Sequence, residues 1–71
     1  MTDDQIRMIA ERMDLEDKIR RLRATLRAAE QIGPLGIEYA ERVRMRNQLG
    51  AMVMYLEILN ERISAFRGDK E

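Results

Sequence analysis

The sequence predicts an all-α fold, an antiparallel two-helix hairpin that assembles into a homo-oligomeric helical bundle, and three observations carry that expectation. First, Met45, Leu49, Met52, Leu56, Leu59, Ile63 and Phe66 recur at alternating spacings of four and three, an unbroken heptad seam of the kind that packs on a partner helix. Second, Gly33, Pro34, Leu35 and Gly36 form a strong turn signal between two long helical stretches. Third, Val43, Gly50, Met54, Ile58 and Ala65 lie roughly 180 degrees around the second helix from the seam, at 100 degrees per residue. One neighbour cannot cover both sides of such a helix, so subunits are expected to associate.

The bulk composition agrees. Seventy-one residues make a single domain, 1–71, and a chain this short buries only about 60% of its unfolded surface. Small domains usually add a disulfide, a metal or a partner. Cysteine and histidine are both absent, which excludes disulfides and thiolate or imidazole metal sites and leaves association as the stabiliser. Acids follow Met1 where a signal peptide carries basic residues, and no apolar run approaches the roughly 18 residues of a membrane span, so a cytoplasmic protein without a membrane partner is expected.

Taken in order, Thr2 is an N-cap with Gln5 as its capping-box partner, and Met1 and Ile6 are spaced as a hydrophobic staple. Helix one is expected over about 3–31. Met8, Leu15, Ile19, Leu22, Leu26 and Ala29 form the side that meets helix two. Ile6, Ile9 and Met13 project nearly opposite, over the first three turns only, and are expected to contact another subunit. Gly33 and Pro34 end the helix, since proline cannot continue its hydrogen bonding. The turn is expected over about 32–36 and helix two over about 37–67, each arm spanning about 44 Å at 1.5 Å per residue. Asp69, Lys70 and Glu71 read as a frayed tail.

Net charge is zero but unevenly placed: residues 1–17 carry minus four and residues 18–48 plus five. Folding the hairpin brings Arg20, Arg21, Arg23 and Arg27 opposite Arg42, Arg44 and Arg46, so the turn-proximal half becomes basic. Eleven of the thirteen cations are arginine, a bias that suits bidentate contact with carboxylate or phosphate. Two readings stay open. The cluster grips phosphates, with Tyr39 or Tyr55 stacking on a base, or it meets the acidic terminal half of a neighbouring hairpin. Duplex nucleic acid is a poorer fit to a neutral domain with no basic tail or helix-turn-helix spacing.

Nothing in the sequence marks an enzyme. The usual nucleophile and base pairs are missing, and Ser64 is the only serine. Asp14, Glu16 and Asp17 lie among Arg12, Lys18, Arg20 and Arg21 and read as a solvated ion-pair face, so neither a metal nor a cofactor is expected. The glycines around Pro34 lack the phosphate-loop pattern. The methionines at helical spacing read as core.

Gln48, Leu49, Ala51, Met52, Tyr55, Leu56, Ile58, Leu59, Arg62 and Ile63, preceded by Leu15, Ile19 and Leu22, resemble a widespread family of small phage helical-hairpin proteins first grouped around a crAss-like phage. The second helix is also similar, more faintly, to that of phage anti-defence sponges, with Leu49, Tyr55 and Arg62 placed as leucine, an aromatic residue and arginine are there. That resemblance implies an oligomeric sponge that sequesters a cyclic nucleotide or oligonucleotide immune signal in the host cytoplasm. On this chain the expected ligand-binding residues are Arg42, Arg44, Arg46 or Arg62 for phosphate and Tyr39 or Tyr55 for the base. Ile6, Ile9, Met13, Val43, Met54 and Ile58 would form the subunit interface. The alternative is a protein-binding inhibitor or adaptor, as a small anti-CRISPR would be, acting on a host defence protein through an exposed helical face.

Overall fold

The computed structural model describes residues 1–33 and 36–68, with side chains as far as Phe66. Pro34 and Leu35 of the expected turn, and the expected tail of Asp69, Lys70 and Glu71, lie outside the described residues. Two helices, α1 (Asp3–Ile32) and α2 (Tyr39–Gly68), pack against each other, with no strand among the described residues.

The capping box opens α1 as its residues demand: the Gln5 amide donates to Thr2 Oγ1 at 3.2 Å, and the Thr2 amide donates to Gln5 Oε1 at 3.0 Å. Met1 and Ile6 remain exposed, so the staple expected between them buries little. Gly33 closes the helix at φ 71°, a backbone that favours glycine, and its amide donates to the Ala29 carbonyl. Helix two begins at Tyr39, two residues later than expected. Gly36 is held in the connection by its amide's bond to the Gly33 carbonyl at 3.0 Å, and the Glu38 carbonyl takes the first helical bond, from Arg42 at 3.0 Å.

The seam packs as its spacing dictates. Leu59 and Ile63 are 0% and 2% exposed, and Leu15, Ile19, Leu26 and Ala29 of α1 are buried with them, while Met8, Leu49, Met52, Val53 and Leu56 pack around the Leu15, Ile19 and Leu59 cluster. Glu30, late in α1, bonds Arg46, early in α2, and Glu11, early in α1, bonds Tyr55, so the helices run antiparallel. The result is a rod of 52 × 17 × 15 Å.

Candidate functional site

A second heptad stripe lies one residue behind the apolar seam of α1. Glu16, Arg20, Arg23, Arg27 and Glu30 each follow a seam residue (Leu15, Ile19, Leu22, Leu26 and Ala29), so the charged residues rim the line where α1 meets α2. Glu16, Arg20, Arg23, Ala24 and Arg27 border a cleft of about 480 Å³ floored by Ile19 and Leu56. Arg23 and Arg27 also border a second cleft, of about 330 Å³, with Leu26 and Glu30 of α1 and Arg46 and Leu49 of α2. The shared arginines make the two clefts one groove along a flank of the rod.

Glu30 is the acid around which the arginines gather. Arg46 Nη2 donates to its carboxylate at 2.7 Å. That bond and the charge of Arg46, with the nearby charges of Arg42 and Arg27, hold the Glu30 carboxyl below its usual range. The Arg42 guanidinium lies 5.6 Å from the centroid of the Tyr39 ring, a cation–π contact, and its Nε is buried without a hydrogen-bond partner. Among the described residues, Arg23, Arg27 and Arg42 make no ion pair with an acid. Along the groove, Arg20, Arg23, Arg27 and Arg46 stand against Glu16 and Glu30, an excess of positive charge over an apolar floor. Such a groove is chemically suited to receive an anion that also carries an apolar surface.

The six residues expected to bind ligand fall into two sets. Arg46 borders the groove, and Arg42 and Tyr39, four and seven residues before it, lie on the same side of α2 and contact each other. Arg44, Tyr55 and Arg62 share a different flank, because Arg62 stands eighteen residues, five full turns, beyond Arg44, with Tyr55 seven residues before it. Those eighteen residues separate Arg44 from Arg62 by about 27 Å along the axis, so one chain does not gather all six. Two of the arginines also find acids within the chain: Arg44 Nε donates to Glu41 at 2.8 Å, and Arg46 is held by Glu30. The Tyr55 hydroxyl donates to the Glu11 carboxylate. The sequence reading missed Arg23, Arg27 and Glu30 as groove residues, although their spacing of four and three was legible as a charged stripe.

Of the expected interface residues, Ile6, Met13, Met54 and Ile58 are 53%, 63%, 65% and 51% exposed, whereas Ile9 and Val43 are half-buried within the chain. In the acidic cluster, Asp14 pairs with Lys18 at 3.1 Å and Asp17 pairs with both Arg20 and Arg21. The hydrogen bond from Arg21 is the main cause that lowers the Asp17 pKa. Among the described residues, no group of three acidic side chains is placed to share a metal ion, and no helix is long and apolar enough to cross a membrane.

Comparison with known proteins gives one family: a model described as Sequestin matches residues 2–65. No curated protein and no solved structure matches the chain.

Proposed function

The chain belongs to the Sequestin family, and we propose that it is a non-enzymatic, phage-type anti-defence protein, an oligomeric sponge that sequesters a cyclic nucleotide or oligonucleotide immune signal in the host cytoplasm. The family's name is consistent with a sequestering role. The observation that carries the ligand class is the groove, where, among the described residues, Arg23 and Arg27 stand without acid partners beside a floor of Ile19, Leu26, Leu49 and Leu56. Guanidiniums suit phosphate oxygens, and the apolar floor suits a base, with the exposed Tyr39 ring on the same side of α2 as Arg46. Arg44, Tyr55 and Arg62 supply a second set of the same chemistry on the other flank.

The shape supports assembly. A compact chain of this length has a radius of gyration of about 11 Å, whereas this rod measures 16.0 Å. Met54 and Ile58 lie on its outer side, where a single hairpin has nothing to cover them. Burying six further apolar side chains at roughly 1.5–3 kcal/mol each outweighs any exposed ion pair, worth at most about 1 kcal/mol. Packing, not charge, holds the oligomer together in this reading.

The test is thermal unfolding at fixed protein concentration against a panel of cyclic di- and trinucleotides. A ligand at 100 times its Kd adds about 2.7 kcal/mol, which for a domain of this size raises Tm by roughly 10–20 °C. No shift with any member of the panel rejects the nucleotide. Replacing Arg44 and Arg46 with alanine is expected to reduce a ligand-dependent shift and leave the apo oligomer assembled; collapse of the oligomer would assign those arginines to association. The exposure of Met54 and Ile58 favours a second reading, the anti-CRISPR-like inhibitor or adaptor that docks this face on a host defence protein. Retention of inhibitory activity by a chain with an intact α2 face but Arg23 and Arg27 replaced would favour that reading.

A further inference from the structure

We propose that α2 crosses α2 of a second copy at Gly50, antiparallel about a two-fold axis, and that this crossing brings Arg44 of one copy beside Tyr55 and Arg62 of the other to complete a ligand site. The inference rests on the oligomeric sponge reading and deepens it. Gly50 sits in the middle of a thirty-residue helix, and a Cβ built there would meet no atom within 4 Å. Glycine is less favourable than alanine in a helix interior, so nothing within one hairpin accounts for the missing methyl. The close approach of a second helix does.

The residues around Gly50 fit that neighbour. Met54 and Ile58 follow it by four and eight positions on the same side and are exposed, so the crossing buries them. Charge on one flank favours the direction. There Arg42 and Arg46 precede Gly50, and Glu57 and Glu61 follow it, while Arg44 and Arg62 lie on the other flank. An antiparallel two-fold sets each copy's acids beside the other's arginines, while a parallel pair stacks like on like. The area is also sufficient. The chain exposes 5492 Å², against roughly 4,600 Å² for a compact monomer of its mass, and the excess of roughly 900 Å² resembles one partner's share of a standard interface, about 800 Å².

The same axis repairs the division of the site. A two-fold through Gly50 sets position 44 of one copy level with position 56 of the other, next to Tyr55, and leaves Arg62 of that copy about 9 Å further along, six residues at 1.5 Å each. A two-fold perpendicular to the helix pair keeps like flanks on one side, so Arg44 of one copy and Tyr55 and Arg62 of the other face the same space. Each dimer carries this site twice. Within one chain the two arginines remain about 27 Å apart.

The chain has no cysteine, so single cysteines report directly on the crossing. Gly50→Cys is expected to form a covalent dimer under mild oxidation, because a disulfide needs Cα atoms within about 7 Å. Ile58→Cys is expected to form none, its two copies lying about 24 Å apart along the axis. A mixture of Arg44→Cys and Tyr55→Cys chains, treated with a short bis-maleimide, is expected to give a heterodimer more readily than either chain alone. Gly50→Ala is expected to weaken self-association at least tenfold. Self-crosslinking of Ile58→Cys, equal crosslinking of the mixed and separate chains, or unchanged or tighter association of Gly50→Ala each overturns the crossing. If the protein then still scatters light as a multimer, the sponge reading stands without this interface; if it scatters as a monomer, both fall.

Discussion

The two halves of the hairpin divide the labour of the molecule. In the half that carries the chain ends, α2 buries Leu59 and Ile63 completely against α1, and the sequence over residues 1–17 is acidic. In the turn-proximal half, Leu26 and Ala29 are buried on α1, but Met45 and Leu49 of the α2 seam are only half-buried, and the charge over residues 18–48 is plus five. Among the described residues, each half has one side-chain strap across the helices: Tyr55 to Glu11 in the first, and Arg46 to Glu30 in the second. The main cluster of Leu15, Ile19 and Leu59 lies toward the chain ends, and the groove runs from its edge, over Ile19 and Leu56, toward the turn. The looser, basic half can therefore change its surface with little cost to the fold.

The sharpest way to break that contrast is a cavity in each half. Leu59→Ala is expected to cost about 2–5 kcal/mol, enough to unfold so small a domain, whereas Leu49→Ala, starting half-buried, is expected to cost less than half as much by urea unfolding. Equal costs would mean that the core is continuous to the turn. A second measurement separates the halves by function. Replacing Arg23 and Arg27 with alanine is expected to abolish a ligand shift of about 2.7 kcal/mol while changing apo stability by no more than about 0.5 kcal/mol. Arg7→Ala, at the terminal end, is expected to leave both unchanged.

The strap at the turn is worth less. The Arg46 and Glu30 side chains are 47% and 51% exposed, so Arg46→Ala is expected to cost at most about 1 kcal/mol, and less at high salt. The smallest effect is on pH. Glu30 and Asp17 have folded-state pKa values lowered by their arginines. Their contribution is therefore present at neutral pH, and it is lost as pH falls below the ordinary carboxylate range and through the depressed folded values. Acid titration of Tm is expected to show a shallow loss there, and Glu30→Gln is expected to flatten part of it.

The helices, their seam and the Thr2 cap were legible because periodicity and capping chemistry are local properties of sequence. The start of α2 was not, since the bonds that hold Gly36 and Glu38 in the connection depend on the path of the whole turn. The groove was half legible. Arginine enrichment pointed to the turn-proximal half, and Arg42 and Arg46 do lie there, but which cations find acids depends on contacts across the two helices. Arg46 meets Glu30 from sixteen residues away, a pairing that no stretch of α2 alone discloses. Arg44 meets Glu41 one turn back, a spacing that the sequence did contain. Ile9 and Val43, expected at a subunit interface from their angular positions, are both half-buried in the single hairpin, which angular position alone does not disclose.

The central claim is that the working unit contains more than one hairpin, and light scattering coupled to size exclusion at micromolar concentration tests it most directly. A mass that is a whole multiple, two or more, of the 8.4 kDa chain is the expected result. A well-folded particle of 8.4 kDa that unfolds at the same temperature at every concentration would contradict it.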